Sequence, residues 1–247
     1  MLIRICSLNQ YDIREELTKH CRKIYHILKY PTHTLAHRLK EITIEVCIII
    51  FAVSLSIWFH SWSEYGHEKN AANAFLRGLK DDLSNDLEII EKNKSLVTTL
   101  CRHYESILNV KKDNPAGNKY QDSVITRNFK FEVIMTHPNI GRYEGFKSSG
   151  RIGTIQDGQL KEQILAYYQQ TIPNLAFGEN YINSLQQKIM YLAVDGIDNK
   201  SVSDLARTRK MQILFRLALQ NFALNLEAYS GASHQIRSII DGIDGQS

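Results

Sequence analysis

A chain of 247 residues and 28.4 kDa is long enough to bury one hydrophobic core, and 43% apolar residues with a mean hydropathy of −0.28 are ordinary for a folded soluble protein. The formal net charge of +4 and pI of 8.8 invite a nucleic-acid reading, but the charge is unevenly placed. Residues 1–40 hold eight Lys/Arg against three acids, a net of +5; residues 41–62 carry −2, which leaves only about +1 for residues 63–247. A nucleic-acid binder spreads its basic footprint over its folded domain, so nucleic acid is excluded as a partner class.

The chain divides into a basic arm (1–40), an apolar segment (41–62) and a larger remainder (63–247). In the arm, Tyr11 to Tyr30 places Ile13, Leu17, Ile24 and Leu28 at helical intervals with Arg and Lys between them. That is the pattern of a helix lying on an anionic membrane surface or docking a cytoplasmic partner; the plainer alternative is a solvated arm that only sets topology. Pro31 ends it.

Ile42 to Trp62 (ITIEVCIIIFAVSLSIWFHSW) spans roughly 30 Å as a helix, the thickness of a bilayer's hydrocarbon. Its uncharged centre, Val46 to Phe59, is short enough to suit a buried core helix too. Three features favour the bilayer. Trp58 and Trp62 stand together at one end, where indole rings prefer the headgroup region. Arg38 and Lys40 stand at the other. The run is apolar all round rather than on one stripe. The positive-inside rule then puts the arm in the cytoplasm and residues 63–247 outside, in the periplasm of a Gram-negative cell. The run begins about forty residues in and is followed by no Ala-x-Ala signal, so a cleaved signal peptide is not expected. Of Cys6, Cys21, Cys47 and Cys101, only Cys101 lies beyond the span, so the outer domain is expected to stand on packing without an internal disulfide.

One long helix is expected from about Glu64 to Asn109. Leu83, Leu87, Ile90, Val97, Cys101, Tyr104 and Leu108 follow steps of three and four, broken where Lys94 occupies the seam. The stripe packs either between subunits as a coiled coil or within one subunit as a bundle helix; lasting under four heptads, it favours the bundle. Lys111 to Tyr120 reads as a loop, and Phe129 to Thr136 suits helix or strand equally before Pro138 and Gly141 close it. Asp157 is placed to cap a helix carrying Leu160, Ile164, Tyr167 and Tyr168, with Pro173 as its stop. Two more helices, about Glu179 to Val194 and Ser203 to Tyr229, precede a tail from Gly231 expected to be short and polar.

Sites for chemistry are few. No phosphate-binding loop, dinucleotide fingerprint, zinc-protease motif or nucleophile elbow is present, and no catalysis or cofactor is expected. His33 and His37 share a possible helix face with Cys21 or His26 nearby, but no fixed third ligand accompanies them, so no metal is expected. Glu45 is the most informative residue, since an ionisable group inside a span is costly. It serves either as a proton-carrying or helix-pairing carboxylate, or as an interfacial group one turn beyond Glu41, which is preferred. Lys147, Ser148, Ser149, Gly150 and Arg151 offer bases, hydroxyls and a flexible backbone for an anion; a surface turn between two helices is the preferred reading.

Glu45 through Trp62-Ser63-Glu64, then Phe75 to Glu91 (FLRGLKDDLSNDLEIIE), then Tyr143 with Lys147 to Tyr168 (KSSGRIGTIQDGQLKEQILAYY), resembles the DUF6090-like group of bacterial single-span membrane proteins of unknown function. The resemblance covers about half of the chain. It departs at the long arm and at His60 and Ser61, where amides would be expected. It implies topology and fold, not activity.

The expectation is therefore a mainly α protein. One transmembrane helix continues into a long helix and an extracytoplasmic helical bundle, at the inner membrane with the N-terminus in. Its function would be that of an anchored interaction or scaffold protein, whose partners are the lipid bilayer and either its own copies or another membrane protein. The alternative is an accessory subunit of an ion-driven or transport complex that uses Glu45.

Overall fold

The computed structural model describes residues 15, 18–19, 21–26, 29, 35–110 and 118–245. The chain is mainly helical, 87% helix with no strands among the described residues, and it forms two compact units, Met1–Glu68 and Lys69–Ser247. No proline falls between Pro31 and Pro115. Nothing there removes a helical hydrogen bond, and the intervening chain forms one helix, α1, Leu35–Leu108.

Within the first unit, α1 carries the apolar segment. It is one helix long and apolar enough to cross a membrane, and only 6% of its most apolar 18-residue window is buried by protein. Ile50, Phe51, Ile57, Trp58 and Trp62 are all more than half exposed. Residues 15, 18–19, 21–26 and 29 are helical, while the other residues of the proposed arm helix, Pro31, His33 and the side chains of His37 and Arg38 lie outside the described residues.

In the second unit α1 buries a stripe of steps three and four: Leu76, Leu79, Leu83, Asp86, Ile90, Asn93, Val97, Leu100, Tyr104 and Ile107. Leu87, Cys101 and Leu108 pack against its flank, half-buried. The seam is therefore turned into this chain's own core. Around it come α2 (Asn118–Asn128), α3 (Gly141–Ser148), a 3-10 turn (Arg151–Thr154), α4 (Gly158–Ala166), α5 (Ile172–Gly196), α6 (Val202–Ala206) and α7 (Arg209–Asp244). Residues 129–140 form neither helix nor strand. The core they share includes Phe215, Phe222 and Tyr229 of α7, all fully buried, the two phenylalanines beside Tyr104. Each phenylalanine contributes about 1.5–3 kcal/mol by leaving water.

Asp157 caps α4 as expected, its Oδ1 accepting the Leu160 N–H at 3.0 Å. Pro173 does not stop the helix. A π-helical turn at Tyr167–Thr171 joins α4 to α5 without a break, and the Ile172 N–H reaches back to the Tyr167 carbonyl. The widened turn accommodates proline's missing N–H and ring at the start of α5. The tail from Gly231 is not a polar end either. Helix α7 runs on to Asp244 because Tyr229, Ala232, Ile236, Ile239 and Ile243 repeat in steps of three and four and are buried. Alpha5 and α7 approach closely where Gly178 faces Asn225, since a Cβ on Gly178 would overlap that side chain.

Candidate functional site

The second unit is organised around the longest irregular segment among its described residues, 129–140. Glu179, Asn183 and Gln186 lie four and three residues apart on one face of α5, and that face meets the segment running in the opposite direction. The Gln186 amide accepts the Glu132 N–H at 3.0 Å and donates to the Glu132 carbonyl at 2.7 Å. Asn183 does the same for Ile134, at 3.0 and 2.7 Å. Two side-chain amides thus stand where a neighbouring β-strand would be, and they hold the segment as an extended strap. Glu179 completes the row. Its carboxylate accepts the Thr136 N–H at 2.8 Å, the Thr136 hydroxyl at 2.5 Å and the Tyr229 hydroxyl at 2.7 Å. From α1, Asn93 donates to the Thr136 hydroxyl at 3.0 Å and Tyr104 to the Lys130 carbonyl at 3.4 Å.

The far end of the strap is held by two carboxylates of α1. Asp86 accepts the Asn139 N–H at 3.2 Å and the Tyr167 hydroxyl at 3.0 Å. Asp82 accepts the Asn139 amide at 2.9 Å and Arg142 Nε at 2.7 Å. The Arg142 guanidinium lies against Gly78, where any Cβ would overlap it. Tyr143 stacks on Tyr168 with centroids 4.3 Å apart, and its hydroxyl accepts from Gln169. The Tyr168 hydroxyl is buried and has no hydrogen-bond partner within the described residues.

This arrangement binds and holds. Burial pushes the Asp86 carboxyl above the usual carboxylate range. Burial likewise raises the hydroxyls of Tyr104, Tyr167, Tyr168 and Tyr229, which keeps them protonated donors. The Cys101 thiol, pushed up to about 11 by burial, is no ready nucleophile.

The residues singled out from sequence are scattered. Glu45 is buried in the first unit, with Lys23 Nζ at 2.6 Å. Trp58, Trp62 and Lys40 are exposed. In the 147–151 turn, Gly150 adopts φ +74° and the Ser148 and Ser149 hydroxyls donate to the Gly145 and Phe146 carbonyls behind them. Lys147 lies 4.0 Å from Glu144 and over the Tyr143 ring. Ser148, Ser149 and Lys147 thus have partners within the turn, while Arg151 is exposed. Sequence reasoning missed Asp82, Asp86, Asn93, Glu179, Asn183, Gln186 and Tyr229. Asp86 and Asn93 did leave a trace, since they fill two gaps in the α1 stripe seven residues apart.

Set against known proteins, the chain matches no family model, no curated protein and no solved structure.

Proposed function

We propose that this chain is a membrane-anchored interaction protein, with its arm in the cytoplasm and its helical second unit outside the membrane as a bundle that binds its own copies or a membrane partner. The observation that carries the reading is the contrast between the two units. The apolar helix of the first has almost no protein cover, which a bilayer would supply. The second unit has a buried apolar core of its own and a polar clasp that positions backbone. The basic arm and the tryptophan pair support the orientation, and the resemblance to the DUF6090-like group agrees with a single span. Glu45 acts in this reading as a tether for the arm, through Lys23.

The test is extraction of native membranes at alkaline pH, then purification in mild detergent with the particle mass and any co-purifying chain measured together. The protein is expected to resist alkaline extraction and to purify as a self-assembly or with a stoichiometric partner. Release without detergent, or a lone monomer with no associated chain, would overturn the proposal.

A further inference from the structure

One cavity of the second unit is lined by three guanidinium groups. It measures about 610 Å³, within the range of small-molecule sites, and lies between the end of α1, α2 and the start of α7. Ile107 and Ile125, both buried, and the exposed Ile213 form its apolar wall. Arg207, Arg209 and Arg216 form its charged side, and no acid lines it among the described residues. Arg207 is compensated, its Nη1 lying 2.7 Å from Asp122 Oδ1. Arg209 and Arg216 are exposed and make no ion pair or hydrogen bond within the described residues.

This basic cluster runs against local preference. The start of a helix carries a partial positive charge and favours acids. Helix α7 instead opens with Arg209 and Lys210, has no acid in its first turn, and is preceded by Arg207. Arg209 and Arg216 stand two turns apart on one face of α7, about 10 Å along its axis, so their long side chains reach a ligand set between them. Gln212, on the same face, donates its amide to the Ala206 carbonyl at 2.8 Å and braces the helix start. The Arg207 Nη2 is buried with no hydrogen-bond partner among the described residues. Uncompensated cations at the positive end of a helix cost stability, and such local conflicts gather where a fold serves binding.

We propose that this cavity binds an organic phosphate monoester. The two unpaired guanidiniums match the two charges of its head near neutral pH, and their planar forks suit phosphate oxygens. The isoleucine wall receives an apolar group carried on the ester oxygen. A singly charged sulfonate leaves one guanidinium uncompensated, and inorganic phosphate leaves the wall uncovered, so both bind more weakly. The site lies wholly within the second unit and goes beyond the interaction reading above, on which it does not rest.

The test is calorimetric titration of the full chain in detergent with naphthyl phosphate at neutral pH. Saturable binding is expected, about tenfold tighter than that of naphthalenesulfonate or of inorganic phosphate. Arg209→Gln and Arg216→Gln should each weaken it by about tenfold and keep or raise the melting temperature, since each removes an exposed cation from the start of α7. Arg216→Lys, which keeps the charge and loses the fork, should fall between. Should the variants not fold, the parent protein answers alone. Lowering the pH through the phosphate's second ionisation, at about pH 6, should weaken naphthyl phosphate binding and leave sulfonate binding unchanged. Dihexanoyl phosphatidic acid separates the two sources of this chemistry: tighter binding than naphthyl phosphate assigns a lipid headgroup, weaker binding a soluble ester, and either supports the site. Absence of binding overturns the proposal, as do equal affinities for phosphate ester and sulfonate, or binding indifferent to both glutamine variants.

Discussion

Replacing Glu179 by Gln is the sharpest perturbation of the strap clasp. The side chain keeps its shape, but one carboxylate oxygen becomes an amide that donates. Three donors now converge on Glu179: the Thr136 N–H, the Thr136 hydroxyl and the Tyr229 hydroxyl, at 2.5 to 2.8 Å. A glutamine accepts at one position only, so at least one donor is left facing another donor in a buried site. Hydrogen bonds to charged groups contribute about 1.5–3 kcal/mol each, and an orphaned buried donor costs a similar amount, so the loss is about 3 kcal/mol. For a unit the size of Lys69–Ser247 this lowers the melting temperature by about 6–12 °C. The assay is thermal unfolding followed by circular dichroism, with hydrogen exchange at the Thr136 amide. Tyr229→Phe, which removes one donor and adds none, should cost less, and the double variant should cost less than the two single changes together. If Glu179→Gln melts within about 2 °C of the parent and the Thr136 amide stays protected, the carboxylate is not what holds the strap, and the energetic reasoning fails.

Ile90→Ala opens the core along the buried stripe of α1 and should cost about 2–5 kcal/mol in chemical denaturation, leaving the particle mass in detergent unchanged because the seam faces the chain's own core. The glycines separate by environment. Gly231→Ala meets open space within α7 and should stabilise by about 0.5–1 kcal/mol, whereas Gly178→Ala collides with Asn225 and should lower the melting temperature. Asp86 gives a pH signature. Its folded carboxyl titrates above the unfolded value because burial disfavours the charge, so the folded state binds more protons in that window and is relatively stabilised as pH falls. The melting temperature of the parent minus that of Asp86→Asn should therefore rise from pH 7 downward through the carboxylate range; a flat or falling difference would contradict the burial argument.

The long helix and the part of its seam at Leu83, Ile90, Val97 and Tyr104 were legible because their signals are local, whereas Leu87, Cys101 and Leu108 only flank the buried stripe. An eighty-residue interval without proline and a three-four apolar repeat need no knowledge of the rest of the fold. The long apolar segment within that helix was legible for the same reason. The clasp was not, because its members look like faults when read along the chain. Asp86 and Asn93 interrupt an apolar stripe, and Glu179 and Gln186 look like polar residues on a helix face, until the strap arrives to receive them. The strap read equally as helix or strand because its partners are side chains some fifty residues later in the chain rather than another strand. Pro173 misled because a proline's usual effect assumes that the preceding turn is α-helical, and here it is not.

That π-helical turn also sets a phase. Each residue of an α-helix advances the side chains by about 100°, and a π turn takes up one residue more than the α turn it replaces. The helix continues in nearly the same direction and phase, but residues after Thr171 fall one place out of step with an α-helical count carried through from before Tyr167. Excising a single residue from Tyr167–Thr171 would therefore restore an uninterrupted α-helix and leave Glu179, Asn183 and Gln186 close to the strap, whereas an excision from the regular α-helix between Ile172 and Glu179 would swing them about 100° relative to Leu160 and Ile164. The unit's most irregular helical turn is thus the place where the helix takes in one extra residue, and loss of a single residue should be tolerated better there than in the regular helix on either side.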